Sequence, residues 1–169
     1  LVLNFREVHT MSSDVLAKHA VKFVRDSPTD KPLFVFYTPS SPHRPFTAAP
    51  RHRGSWKGRI PSYHPPSVTG SVASKPPWIR KLPRVPQATI DDDIRRQQES
   101  LMAVDEAVRD LVDALTDTGR MSNTMFVFMG DNGLMLGEHH LNAWKNLPYR
   151  MSTSVPLAIR WDGHLKTNG

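Results

Sequence analysis

Eleven of the chain's fifteen prolines fall between Thr38 and Pro86, together with Gly54, Gly58 and Gly70. Proline fixes φ and has no amide proton to give to a helix or a ladder, so a stretch this rich in it holds little regular structure. The flanks are of the opposite kind, with periodic helical patterns and short apolar runs. The sequence therefore predicts a single partial domain over 1–169, with a long irregular, proline-rich and basic segment at 38–88 inside it. Irregular segments of that length within a compact domain line a site or wrap a neighbour.

A length of 169 residues suits one domain with a real core. The apolar share, 38%, is lower than usual, as the proline segment requires. A formal charge of +6 favours anionic partners: sulfated or phosphorylated sugars, nucleic acid or an acidic surface. The absence of cysteine excludes a disulfide framework or a thiolate metal site within the chain and leaves the redox compartment open. No apolar run approaches the roughly 18 to 20 residues needed to cross a bilayer. The chain opens Leu1-Val2-Leu3-Asn4-Phe5, with neither methionine nor a basic signal region, and is expected to be an internal segment of a longer protein.

Ser13 is positioned to cap a helix with Leu16, Ala20, Phe23 and Val24 on one face, ending near Ser27-Pro28. Leu33-Phe34-Val35-Phe36-Tyr37 is a continuous apolar run of the kind found in a strand covered on both faces. Thr89 with Asp91, Asp92 and Asp93 predicts a capped, acidic helix start. Leu101, Val104, Val108, Leu111 and Leu115 form the apolar stripe of that long helix, which should end near Thr118-Gly119. Further strands are expected at Thr124–Met129 and Val155–Trp161. Alternating helices and apolar strands predict an α/β fold, a sheet covered by helices. Three strands are few for such a domain, so part of the sheet should lie outside this chain, and its exposed edges should favour self-association.

The second strand ends in Gly130-Asp131-Asn132-Gly133. A carboxylate and an amide at the rim of a sheet are hard oxygen donors for Ca²⁺ or Mg²⁺, although Asn-Gly is equally a common turn. Two donors fall short of the six to eight of a calcium sphere. Lys145, between Trp144 and Asn146, offers a compact counter-charge for a sulfuryl or phosphoryl group, or is simply solvated. His43 follows the first strand after a short turn, where an imidazole can donate to an anion or protonate a leaving oxygen, or can be a surface histidine. Glu138-His139-His140 lacks the histidine spacing of a helical zinc motif, and adjacent side chains diverge. The basic, aromatic-interleaved residues Arg51, His52, Arg53, Trp56, Lys57, Arg59, Lys75, Trp78, Arg80, Lys81 and Arg84 either grip a polyanion or form a solvated loop whose tryptophans pack back.

Read together, these segments resemble the sulfatase family of the alkaline phosphatase superfamily. The resemblance rests on Pro42-His43-Arg44-Pro45-Phe46, Ser74-Lys75-Pro76-Pro77-Trp78, Asp131-Asn132-Gly133, Leu136-Gly137-Glu138-His139, Lys145-Asn146, Pro148-Tyr149 and Val155-Pro156-Leu157. It implies part of a three-layer α/β/α alkaline phosphatase-like domain. It also implies that Asp131 and Asn132 ligate Ca²⁺, in preference to Mg²⁺, and that His43 and Lys145 are catalytic groups contacting the sulfate or its bridging oxygen. His139 and Arg44, in the same motifs, are secondary candidates for substrate contact. Family members use a formylglycine hydrate made from a cysteine or serine in Cys/Ser-x-Pro-x-Arg, near the N-terminus and after an acidic metal-binding pair.

Ser40-Ser41-Pro42-His43-Arg44 fits that pattern formally, but the following Pro45-Phe46-Thr47-Ala48-Ala49-Pro50 lacks the expected Thr-Gly. The segment fits the family's later Pro-His-x-Pro loop, so the nucleophile is expected in a part outside this chain, which alone should be inactive. Arg150-Met151-Ser152 stands where similar sulfatases carry acids. The implied partner is a sulfated carbohydrate or aryl sulfate rather than nucleic acid, with no membrane span. A phosphodiesterase or phosphonate hydrolase of the same superfamily would use the same metal, lysine and histidine, and a non-catalytic polyanion-binding module would use the basic segment instead.

Overall fold

The structure, a computed structural model, describes residues 12–165. In chain order it contains α1 (Ser12–Asp26), α2 (Pro66–Thr69), α3 (Pro77–Arg80), α4 (Gln87–Asp117), β1 (Phe126–Met129), α5 (Arg150–Thr153) and β2 (Leu157–Arg160), with single 3-10 turns at Pro50–His52, Met121–Asn123 and Glu138–His140. The described residues group into two compact units. One holds the chain up to Trp56, Arg96–Met125 and the residues from Arg160 on; the other holds Lys57–Arg95 and Phe126–Ile159.

The first unit is helical. Val24 of α1 is fully buried, as are Ala107 and Ala114 of α4, with Val104, Leu111 and Leu115 nearly so. These α4 positions recur at three- and four-residue spacing, the stripe the sequence predicts. Val108 is the exception, 36% exposed at the edge of that stripe. Polar ties close the unit. Arg51 donates in bidentate fashion to Asp14 at 2.7 and 2.8 Å and through Nε to Glu106 at 2.8 Å. His52 Nε2 lies 3.1 Å from the other Glu106 oxygen. Arg120 donates to the carbonyls of Ser27, Pro28 and Lys31, satisfying acceptors beyond the end of α1 that the helix itself cannot. Tyr37 donates to the Ser13 carbonyl at 3.2 Å, and burial pushes its phenol up to about 12.

The second unit holds the short helices. α2 and α3 each begin on proline, whose fixed φ suits a first helical turn and whose missing donor is not needed there. Its core is Ile79, Met135 and Leu141, with Val72, Leu82, Leu147 and Tyr149 packed against it. β1 and β2 form a two-stranded sheet.

Four expectations need correction. Ser13 does not cap α1: the helix includes Ser12, and the buried Ser13 hydroxyl pairs with that of Ser41 at 3.1 Å. Leu33–Tyr37 is not a buried strand. Its exposure does alternate, with Phe34 and Phe36 at 85% and 81% and the residues between them partly buried, but among the described residues no strand pairs with it. An apolar run becomes a strand only where a neighbour takes its amides and carbonyls.

Thr89 is not a cap either, because the Pro86 carbonyl already accepts from Thr89 and Ile90 at 3.0 and 3.3 Å, and α4 starts at Gln87. Asp91, Asp92 and Asp93 consequently lie beyond the first turn. The later strands are real but shorter than expected, and their apolar side chains are exposed, with Val127 and Phe128 both at 51%.

Candidate active site

β1 delivers Gly130 and Asp131 at its end, as the sequence predicts. Two glycines let the turn approach its neighbours. The Gly130 amide donates to Pro156 at 3.3 Å and the Gly133 amide donates to Ser152 at 2.8 Å. A Cβ on Gly133 would sit 1.9 Å from the Met151 carbonyl oxygen, so only glycine fits there.

Within this turn Asp131 Oδ1 accepts the Asn132 amide at 2.8 Å, and the Asn132 side-chain NH₂ donates to the Gly133 carbonyl at 2.9 Å. These bonds orient both side chains, and among the described residues Asp131 Oδ2 and the Asn132 side-chain oxygen have no hydrogen-bond partner. Two such hard oxygens on adjacent residues suit Ca²⁺ or Mg²⁺ as partial ligands. No cluster of three or more His, Cys, Asp or Glu that would hold a metal occurs among the described residues.

Lys145 lies in the loop between β1 and α5, partly buried and without an ion-pair partner among the described residues. The same loop carries Glu138, His139 and His140, whose side chains go to three different places. Glu138 is buried; it accepts from the Tyr63 hydroxyl at 2.7 Å and from the Leu136 amide at 2.5 Å. His140 donates through Nδ1 to the Leu82 carbonyl at 2.9 Å.

His139, in the left-handed region at φ 54°, lays its ring 4.7 Å from that of Tyr149. Burial, then the nearby Lys75 charge, lowers the affinity of His139 for a proton. Tyr63 is pushed well above the ordinary phenol range by burial and by its bond to Glu138.

His43 belongs to the first unit, as does Arg44. His43 is exposed, and its Nδ1 donates to the Arg44 carbonyl at 2.8 Å, which fixes the tautomer and leaves Nε2 as the outward atom. The turn around it is held by the His43 amide on Ser40 at 2.7 Å and the Phe46 amide on His43 at 3.0 Å. The Arg44 guanidinium lies 5.4 Å from the centre of the buried Phe46 ring. It is thus partly engaged in packing.

The sulfatase family model matches residues 2–168. The chain belongs to the sulfatase family. Among relatives, human N-acetylglucosamine-6-sulfatase is 27% identical over 157 residues, covering 89% of this chain and 28% of that enzyme. The arylsulfatase of Volvox carteri is 29% identical over 180 residues, covering 90% of this chain and 27% of that one. The solved structure of BT4656, in complex with its substrate D-glucosamine-2-N,6-O-disulfate, superposes with a TM-score of 0.74 at 21% identity, covering 89% of this chain and 43% of that one. The fold is the α/β fold of the sulfatases. This member of the family spans little more than a quarter of the length of the human and Volvox relatives.

Sequence reasoning missed the Tyr63–Glu138 bond, because its partners are 75 positions apart and neither residue type signals the other. The hydrogen bonds of Gly133 and the seat of His139 on Tyr149 were equally beyond it.

Proposed function

We propose that the full-length protein hydrolyses sulfate esters of sugars, with Asp131 and Asn132 as two of the ligands of a Ca²⁺ ion and His43 and Lys145 acting on the ester. The observation that carries this reading is the turn after β1. In a chain of the sulfatase family, both Asp131 and Asn132 keep one hard oxygen unengaged among the described residues while their other side-chain polar atoms are tied to the backbone. Bound there, Ca²⁺ would supply positive charge against the sulfuryl oxygens.

The remaining work belongs to the side chains. With Nδ1–H held by the Arg44 carbonyl, His43 presents Nε2, which in the imidazolium form gives its proton to the leaving sugar oxygen as the S–O bond breaks and leaves the ring neutral. Lys145, which has no carboxylate partner among the described residues, balances the charge that develops on the sulfuryl group. His139 and Arg44 are secondary contacts to the sugar. The nucleophile in this reading is a formylglycine hydrate supplied by residues outside this chain, so the 169-residue chain alone releases no sulfate.

Release of inorganic sulfate from N-acetylglucosamine 6-sulfate by the full-length protein tests the reading, with bis(4-nitrophenyl) phosphate run in parallel. Sulfate release that falls by about 100-fold or more in Asp131→Ala, roughly 3 kcal/mol of transition-state stabilisation, is expected. Faster cleavage of the phosphodiester would transfer the chain to the phosphoryl branch of the superfamily.

A further inference from the structure

Every strongly basic side chain that braces the first unit has a partner: Arg51 on Asp14 and Glu106, Arg120 on three carbonyls. Lys75, in the second unit, differs. Its side chain is partly buried, yet among the described residues it has no carboxylate within ion-pair distance. Its ammonium instead lies 4.8 Å from the centre of the Tyr149 ring, whose other neighbour is the His139 ring at 4.7 Å. An ammonium held against an aromatic face keeps its donors for an external anion. Burial and then the Lys75 charge lower the affinity of His139 for a proton, so its ring adds a neutral hydrogen-bonding group beside the ammonium.

The same three-residue core carries a second feature. Trp78 sits next to Ile79 on α3, and the Trp144 carbonyl accepts from the Met135 amide at 2.9 Å. The two indoles approach at 5.5 Å with 34° between their planes, and both stay exposed, at 43% and 44%. Tryptophan is among the most costly residues to leave in water, and a fixed, half-exposed pair offers flat apolar area of the kind that covers the C–H face of a pyranose.

From this juxtaposition we infer that Lys75 binds a second anionic group of the substrate, a sulfate or carboxylate other than the ester that is cleaved, while Trp78 and Trp144 cover a sugar ring. The inference rests on the reading of this protein as an enzyme for sulfated sugars. It goes beyond that reading by making a doubly anionic saccharide the preferred ligand.

The test is a binding measurement, so that it stands apart from turnover. Full-length protein, held in chelator to stop hydrolysis, is titrated calorimetrically with glucosamine 2-N,6-O-disulfate and with N-acetylglucosamine 6-sulfate. The disulfate should bind about tenfold more tightly, the worth of one charge-assisted contact. Lys75→Met should abolish most of that preference, Lys75→Arg should retain it, and Trp144→Ala should weaken both sugars alike. Equal affinity of the wild type for the two sugars, or a loss in Lys75→Met that is the same for both, overturns the inference. If the preference holds but neither sugar is hydrolysed when calcium is restored, the sulfatase reading falls and the Lys75 contact stands.

Discussion

Gly133 is where a single atom decides the geometry of the candidate metal turn. Its missing Cβ lets the backbone approach Met151 and its amide reach the Ser152 carbonyl, and these contacts hold Asp131 and Asn132 at the end of β1. Gly133→Ala has no side-chain rotamer with which to escape a carbonyl 1.9 Å away, so the backbone itself must shift. The expected cost is about 1–3 kcal/mol in thermal or urea unfolding, in line with other overpacked sites. Sulfate release by the full-length protein should fall further than that loss of stability explains. An alanine variant with unchanged unfolding and unchanged activity would show that the turn is not held in this way. Asp131, Asn132, His43 and Lys145 were all legible as residue types in a motif. What the motif does not encode is which of their atoms are already spent, and that follows only from the hydrogen bonds around them.

Between elements, the decisive link is the group Asp14, Arg51 and Glu106, which ties α1 and the turn at Pro50–His52 to α4. Hydrogen bonds from Arg51, the largest influence, hold both carboxyls below their ordinary values of 3.8 and 4.5. The folded state therefore binds fewer protons than the unfolded chain in acid. The group's contribution is complete above about pH 4.5 and is lost as pH falls through the lowered values. Stability against urea should decline as the pH falls below about 4.5 in the wild type. In Arg51→Met that decline should flatten, with the variant already weaker at pH 7; an unchanged pH profile would remove Arg51 from this role. The same pairs bear on the polyanion-binding alternative, since the Arg51 guanidinium is engaged by Asp14 and Glu106 and Arg84 donates to the Thr69 carbonyl at 2.7 Å.

Helices were more legible than strands, for a physical reason. α4 satisfies its own backbone, so its apolar spacing alone identifies it, and only its start moved, because the Pro86 carbonyl took the place expected of Thr89. Leu33–Tyr37 has the composition and the alternation of a strand but depends on a partner that the described residues do not supply.

At the scale of the whole molecule, the family match along residues 2–168 establishes the family and the TM-score of 0.74 to the BT4656 structure bears on the fold alone, while the chain's share of its relatives' length leaves the activity to be measured on the full protein. Between Thr38 and Pro86 the proline-rich segment holds two four-residue helices and one 3-10 turn. Its function was hidden in the sequence because Lys75 and Trp78 acquire meaning only beside Tyr149 and Trp144, some seventy residues away. The central claim concerns Asp131 and Asn132, and a calcium titration reads it directly. Chelated full-length protein is titrated with Ca²⁺ while sulfate release from N-acetylglucosamine 6-sulfate is followed, for the wild type and for Asp131→Ala. Activity should return with calcium in the wild type, and the variant should need about 100-fold more calcium or fail to recover, the scale expected when a metal site loses a ligand or its support. Full activity in chelator, or identical calcium curves for the two proteins, would contradict the assignment of this turn as half of a calcium site.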